Sequence, residues 1–141
     1  MDPLDLTKAP PRSPRAPAGE LSTIMLARSI DKYRASLPGG NLGEYKIEGF
    51  TIRMLENLGL DGAELQRIVA NAAGDADVVA WVKRQTTPEQ RAASDEKLSA
   101  RTIADRADDP AFFVRQPVAK TLPLETPLID MLAKDDEASF A

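Results

Sequence analysis

Apolar residues recur every three or four positions along most of this chain, the period of helices that pack on one face. Leu21 to Leu37 carries that spacing, and Pro38-Gly39-Gly40-Asn41 stops it. Ile52, Leu55 and Leu58 mark a second helix over Phe50 to Leu58, ended by Gly59. Asp61 with Glu64 three residues on resembles a capping box. The helix it starts runs to about Ala73, with Gly74 as its terminator. Asp75 or Asp77 begins the next, whose Val78, Trp81 and Val82 form a buried stripe. Thr87-Pro88-Glu89-Gln90 is a strong start, with a cap, a proline at the first position and a glutamine three after the cap. Asp109-Pro110 repeats the device before Phe112 and Phe113, and Thr126-Pro127 repeats it before Leu128, Ile129, Met131 and Leu132.

Two stretches break the pattern. Residues 1–19 hold most of the chain's early prolines and form an irregular arm, in which Leu4 and Leu6 alternate with Asp5 and Thr7. Gly43 to Gly49 alternates Tyr45 and Ile47 with charged residues and predicts a brief extended segment. The expected architecture is mainly α: a compact helical single domain with a Pro-rich N-terminal arm and at most a short extended segment. The division is an arm at 1–19, a helical core at 20–116, and a linker with a C-terminal helix at 117–141. The end of the chain, Asp135 to Ser139, reads as frayed.

Composition narrows the chemistry. The chain has 141 residues, no cysteine and no histidine. Disulfides, thiolate catalysis and cysteine–zinc sites are excluded, and the common neutral-pH acid–base group is missing. No metal site or cofactor is expected. Any catalysis would need a shifted Asp, Glu, Lys or Tyr, or fixed electrostatics. The net charge of −4 and the lack of a long basic run argue against a general nucleic-acid binder. No apolar run reaches the ~20 residues that span a bilayer, so no membrane partner is expected and the protein is read as cytoplasmic. Glu89, Asp95, Glu96, Asp105 and Asp108 read as a solvated acidic surface.

The first helix carries the candidate site. On a helical wheel Leu26, Ile30, Tyr33 and Leu37 share one side, while Arg28, Asp31 and Lys32 share the other with Leu21, Ile24 and Met25. Charges thus enter a face that is otherwise apolar, and the spacing lets Arg28 reach Asp31 or Lys32. The plain alternative is an ordinary solvated ion pair. If the arm lies across this helix, Lys8 and Arg12 join Arg28 around an anion, since arginine suits carboxylate or phosphate. The alternatives for the arm are a cover for the core, or a proline-rich ligand built on Pro11-Arg12-Ser13-Pro14.

The arm Leu4-Asp5-Leu6-Thr7-Lys8-Ala9-Pro10-Pro11-Arg12-Ser13-Pro14, the helix Met25 to Ala35 and the turn Leu42-Gly43-Glu44-Tyr45 together resemble an uncharacterised bacterial family of small soluble proteins, a domain of unknown function. The resemblance implies kinship and brings no activity or catalytic set. It implies that arm, helix and turn meet in space. The expected function is a pocket for a small anionic metabolite between arm and first helix, with Lys8, Arg12 and Arg28 as ligands. A metal- and thiol-independent lyase or isomerase version would use Asp31, Lys32 and Tyr45. The alternative is a non-catalytic interaction or oligomerisation module that uses the arm or residues 127–134, with Leu128, Ile129, Met131 and Leu132 exposed in a monomer.

Overall fold

The computed structural model describes residues 1–141. Seven α-helices follow in chain order: α1 (Leu26–Ala35), α2 (Phe50–Leu58), α3 (Gly62–Asn71), α4 (Asp75–Gln85), α5 (Pro88–Ser99), α6 (Pro110–Arg115) and α7 (Leu128–Ser139). Two 3-10 turns, Ile103–Arg106 and Pro117–Thr121, flank α6. The mainly α expectation holds. No helix is long and apolar enough to cross a membrane.

The local signals that hold are those whose partners lie within one turn. Thr87 accepts from the Gln90 N–H while the Gln90 side chain accepts from the Thr87 N–H, a complete capping box. Asp109 caps α6 at the Ala111 N–H. Asp61 caps α3 at the Ala63 N–H, but Glu64 does not reach back and instead faces Arg67 at 3.6 Å. Gly59 ends α2 in the left-handed region at φ 64°.

Four expectations fail where tertiary packing overrides local pattern. The first helix begins at Leu26, not Leu21, because Met25 has φ 74° and its N–H donates to the Pro14 carbonyl of the arm. Leu21, Ile24 and Met25 are apolar on all sides because they form a buried turn, which needs no polar face. No strand forms at Tyr45–Ile47: it has no ladder partner, and Gly43 and Gly49 bend the chain with φ near 60°. Gly74 opens α4 rather than closing α3, since Ala72 has already left the helix in an extended conformation. At the last helix Pro127, not Thr126, holds the cap position, because the Thr126 carbonyl is taken by the Ile103 N–H.

Helix α1 is the axis of the fold. All its residues but Arg34 are buried, with α2 and α3 packed against it. The main core joins Leu26 and Ile30 to Met54, Leu58, Leu65 and Val82. A smaller cluster gathers Ile103, Phe112, Ala119, Leu128 and Met131, and Phe50 packs against both. The arm crosses the end of α1, where the Leu6 N–H donates to the Asn41 carbonyl and the Leu6 side chain is buried. A Cβ on Gly43 would meet Thr7 Cγ2 at 3.1 Å, so arm and turn approach as closely as a glycine permits.

Candidate functional site

Burying nearly every face of α1 buries its charges as well. Arg28 is 3% exposed, Asp31 5% and Lys32 8%. A charge taken from water must find a partner. The three do not pair with one another: each reaches a different segment of chain.

Asp31 is held by the arm. Its Oδ2 accepts from the Arg12 backbone N–H at 2.8 Å and its Oδ1 from Arg12 Nη2 at 3.1 Å. Arg12 also donates through Nη1 to Asp75 Oδ2 at 2.7 Å, at the start of α4. Those carboxylates, Asp75 above all, hold the Arg12 guanidinium firmly in its charged form. Arg28 turns to α7, where Nη1 donates to Asp136 Oδ2 at 2.7 Å. Its other Nη1 contact is the Arg12 carbonyl at 3.3 Å, and its Nε has no hydrogen-bond partner. The Tyr45 hydroxyl donates to Asp136 Oδ1 at 2.7 Å, and its ring lies 5.6 Å beneath the Arg28 guanidinium. Burial, then that bond, pushes the Tyr45 phenol above its ordinary range.

Lys32 donates to the Lys46 carbonyl at 2.9 Å. Burial and the neighbouring Arg28 charge push its amine down to about 8. Four of the six candidates, Arg12, Arg28, Asp31 and Tyr45, thus join one polar network along α1, tied by the Arg28 bond to Arg12, and Lys32 lies beside it with its own partner. Lys8 is outside it, exposed. The signal for Asp75 and Asp136 was missed in the sequence because their partners lie 63 and 108 residues away. Asp136 falls within the stretch read as frayed, yet it is among the buried residues. Asp95, read as solvated, is half-buried and accepts from the Ile24 N–H at 2.9 Å.

Two cavities border this network. One, of about 410 Å³, lies between Leu6 and Thr7 of the arm, the Tyr45 turn, and Asp135 and Phe140. Its only charged lining groups, Glu44 and Asp135, are carboxylates. Burial and Asp136 raise the Asp135 carboxyl above its ordinary value. The other cleft, of about 550 Å³, lies between the arm at Asp2 and Arg12, the end of α1 at Arg34, and the start of α4 at Gly74 and Asp75. Asp31, Lys32, Tyr45 and Lys8 do not line it. No group of three or more carboxylates converges as a metal ion would require.

Residues 8–121, most of the chain, match the family model described as Domain of unknown function (DUF5069). The chain belongs to this family. No curated protein matches it. The DUF5069 match takes in Arg12, α1 and Asp75 but ends before α7, so it covers one half of the charge network and leaves out Asp136.

Proposed function

We propose that this protein binds a small anionic molecule, without chemical conversion, in the cleft between arm and first helix. The observation that carries the reading is Arg34 of α1, which lines the 550 Å³ cleft beside the arm and pairs with no carboxylate. Arg12 lines the same cleft but gives its guanidinium nitrogens to Asp31 and Asp75, which leaves Asp2 as the unpaired acid among the lining residues. Arg34 is fixed by donating through Nε to the Asp2 carbonyl at 2.8 Å, which leaves its Nη groups for a ligand. Helix α4 opens onto the same cleft at Gly74, with Asp75 and Asp77 in its first turn offsetting its positive end.

Arg34 takes the place expected of Arg28, whose charge is spent on Asp136. Asp31, Lys32 and Tyr45 are each committed to internal partners and lie off the cleft, which favours binding over proton transfer. The interaction-module alternative finds less support, since Leu128, Ile129 and Met131 are buried against the protein's own core.

The test is a thermal-shift titration of the full chain against di- and tricarboxylates and phosphate esters, with Arg34→Gln beside it. A ligand at about 100 times its dissociation constant stabilises the folded state by about 2.7 kcal/mol. The shift is expected in the natural protein and absent in R34Q, with Tyr45→Phe behaving as the natural protein. An R34Q protein that keeps the whole shift would sink this assignment.

A further inference from the structure

The seam between the two hydrophobic clusters holds a third cavity, of about 260 Å³, far from the arm in chain order. Its charged lining is of one sign: Arg53 from α2, Arg106 from the first 3-10 turn and Arg115 from α6, with no carboxylate among the lining residues. That is unexpected in a chain of net charge −4. Three guanidiniums at one opening give it a locally positive potential. Arg28, which is buried, and Arg12, which is half-buried, are answered by carboxylates. Arg53 and Arg115 are exposed and Arg106 is half-buried, so water solvates them and leaves their N–H groups open to an anion. None of the chain's ion pairs involves Arg53 or Arg106. Arg115 has only a long contact of 3.7 Å with Asp109, both side chains being largely in solvent.

Aromatic faces hold the arginines in place instead. The Arg53 guanidinium lies 5.4 Å from the Phe50 ring centre, and that of Arg106 lies 5.9 Å from Phe112. A guanidinium stacked on a ring keeps its in-plane N–H groups free to donate, the geometry that grips an oxyanion. Beneath them Leu128, Met131 and Leu132 of α7 make an apolar floor. A cationic rim over an apolar floor selects a ligand with both parts. The volume falls just below the about 300 Å³ at which pockets for drug-sized ligands begin, so the ligand is smaller than those.

We infer that this seam is a second binding site, for a small organic anion: a carboxylate or phosphate carried on an aromatic or short aliphatic group. The oxyanion is held by Arg53, Arg106 and Arg115, and the apolar group sits against Phe112 and the α7 floor. The site shares no residue with the arm cleft, so either can stand without the other.

Phenyl phosphate is the probe, titrated into the full chain by calorimetry and by NMR, with inorganic phosphate and phenol as its two halves. Phenyl phosphate is expected to bind and to shift the Phe50 and Phe112 resonances, with each half binding at least about tenfold more weakly. Arg53→Gln with Arg106→Gln is expected to weaken it by about tenfold or more, while R34Q leaves it unchanged. Arg53 is exposed and Arg106 half-exposed, so the double variant should fold, which circular dichroism checks. The assignment is overturned if phenyl phosphate does not bind at millimolar concentration, or if the double variant binds it as well as the natural protein. Equal binding of inorganic phosphate, or loss of binding in R34Q, overturns it too.

Discussion

Asp136 is the residue that ties Arg28 and Tyr45 to α7. It is the only carboxylate bonded to Arg28, and it also receives the Tyr45 hydroxyl. Asp136→Ala is expected to cost about 3 to 5 kcal/mol, as breaking one side of a buried pair does. Arg28→Met orphans Asp136 in turn and is expected to cost less, because Asp136 keeps the Tyr45 hydroxyl whereas Arg28 without Asp136 keeps only the Arg12 carbonyl at 3.3 Å. Urea unfolding of the two variants ranks them, and the reverse order would mean that Arg28 is not dependent on Asp136. Lys32 gives a signature in pH. Its amine titrates near 8 when folded, against an ordinary 10.5. Below pH 8 both states carry the proton and the folded state bears the full cost of a buried charge. From pH 8 upward the native amine loses its proton first, the unfolded chain binds more protons, and stability rises with pH. The raised Tyr45 phenol opposes this only above its ordinary value of 10. The clean window is therefore pH 8 to 10, with a slope of up to about 1.4 kcal/mol per pH unit. Denaturant unfolding across that window should show the rise in the natural protein and its loss in Lys32→Met.

Among elements, the arm behaves as part of the core rather than as an appendage. Leu6 is 3% exposed, and the arm's backbone bonds both the end of α1 and the residue before it. Leu6→Ala is expected to cost about 2 to 5 kcal/mol, the range for buried leucines. Arg15→Ala, which removes an exposed pair with Asp130, should cost less than about 1 kcal/mol. Equal, small losses in a thermal melt would show the arm to be loosely held. Elements were legible in the chain wherever their signals are local. Thr87 to Gln90 and Asp109-Pro110 satisfy orphan N–H groups within one turn, and the helices start where they say. Leu21 to Met25 misled because an all-apolar segment has no period to read, and whether it is helix or buried turn depends on the Pro14 carbonyl eleven residues earlier.

At the scale of the whole molecule, α7 closes the structure from the far end of the chain. It brings Asp136 to Arg28, Asp130 to Arg15 and Ile129 to the main core. The segment before it pairs Leu124 and Thr126 carbonyls with the Ala104 and Ile103 N–H groups. A chain cut after Thr121, where the family match ends, is expected to lose cooperative unfolding and to expose apolar surface to a hydrophobic dye. A sharp melt near that of the full chain would refute this role for α7. The amino-acid sequence by itself determined the helical class, most helix starts, the Trp81 stripe and the absence of thiol and imidazole chemistry. Each of those follows from composition or from spacing within a few residues. It also marked Arg12, Arg28, Asp31, Lys32 and Tyr45 as residues out of keeping with their surroundings. Only the tertiary structure decided what they do, because a buried charge must be matched in space rather than along the chain. Asp75, Asp136 and Lys46 are the matches, and nothing local to α1 names them. The Arg53, Arg106 and Arg115 cluster was equally hidden, since its members stand alone in sequence and meet only where α2, the first 3-10 turn, α6 and α7 close around one cavity.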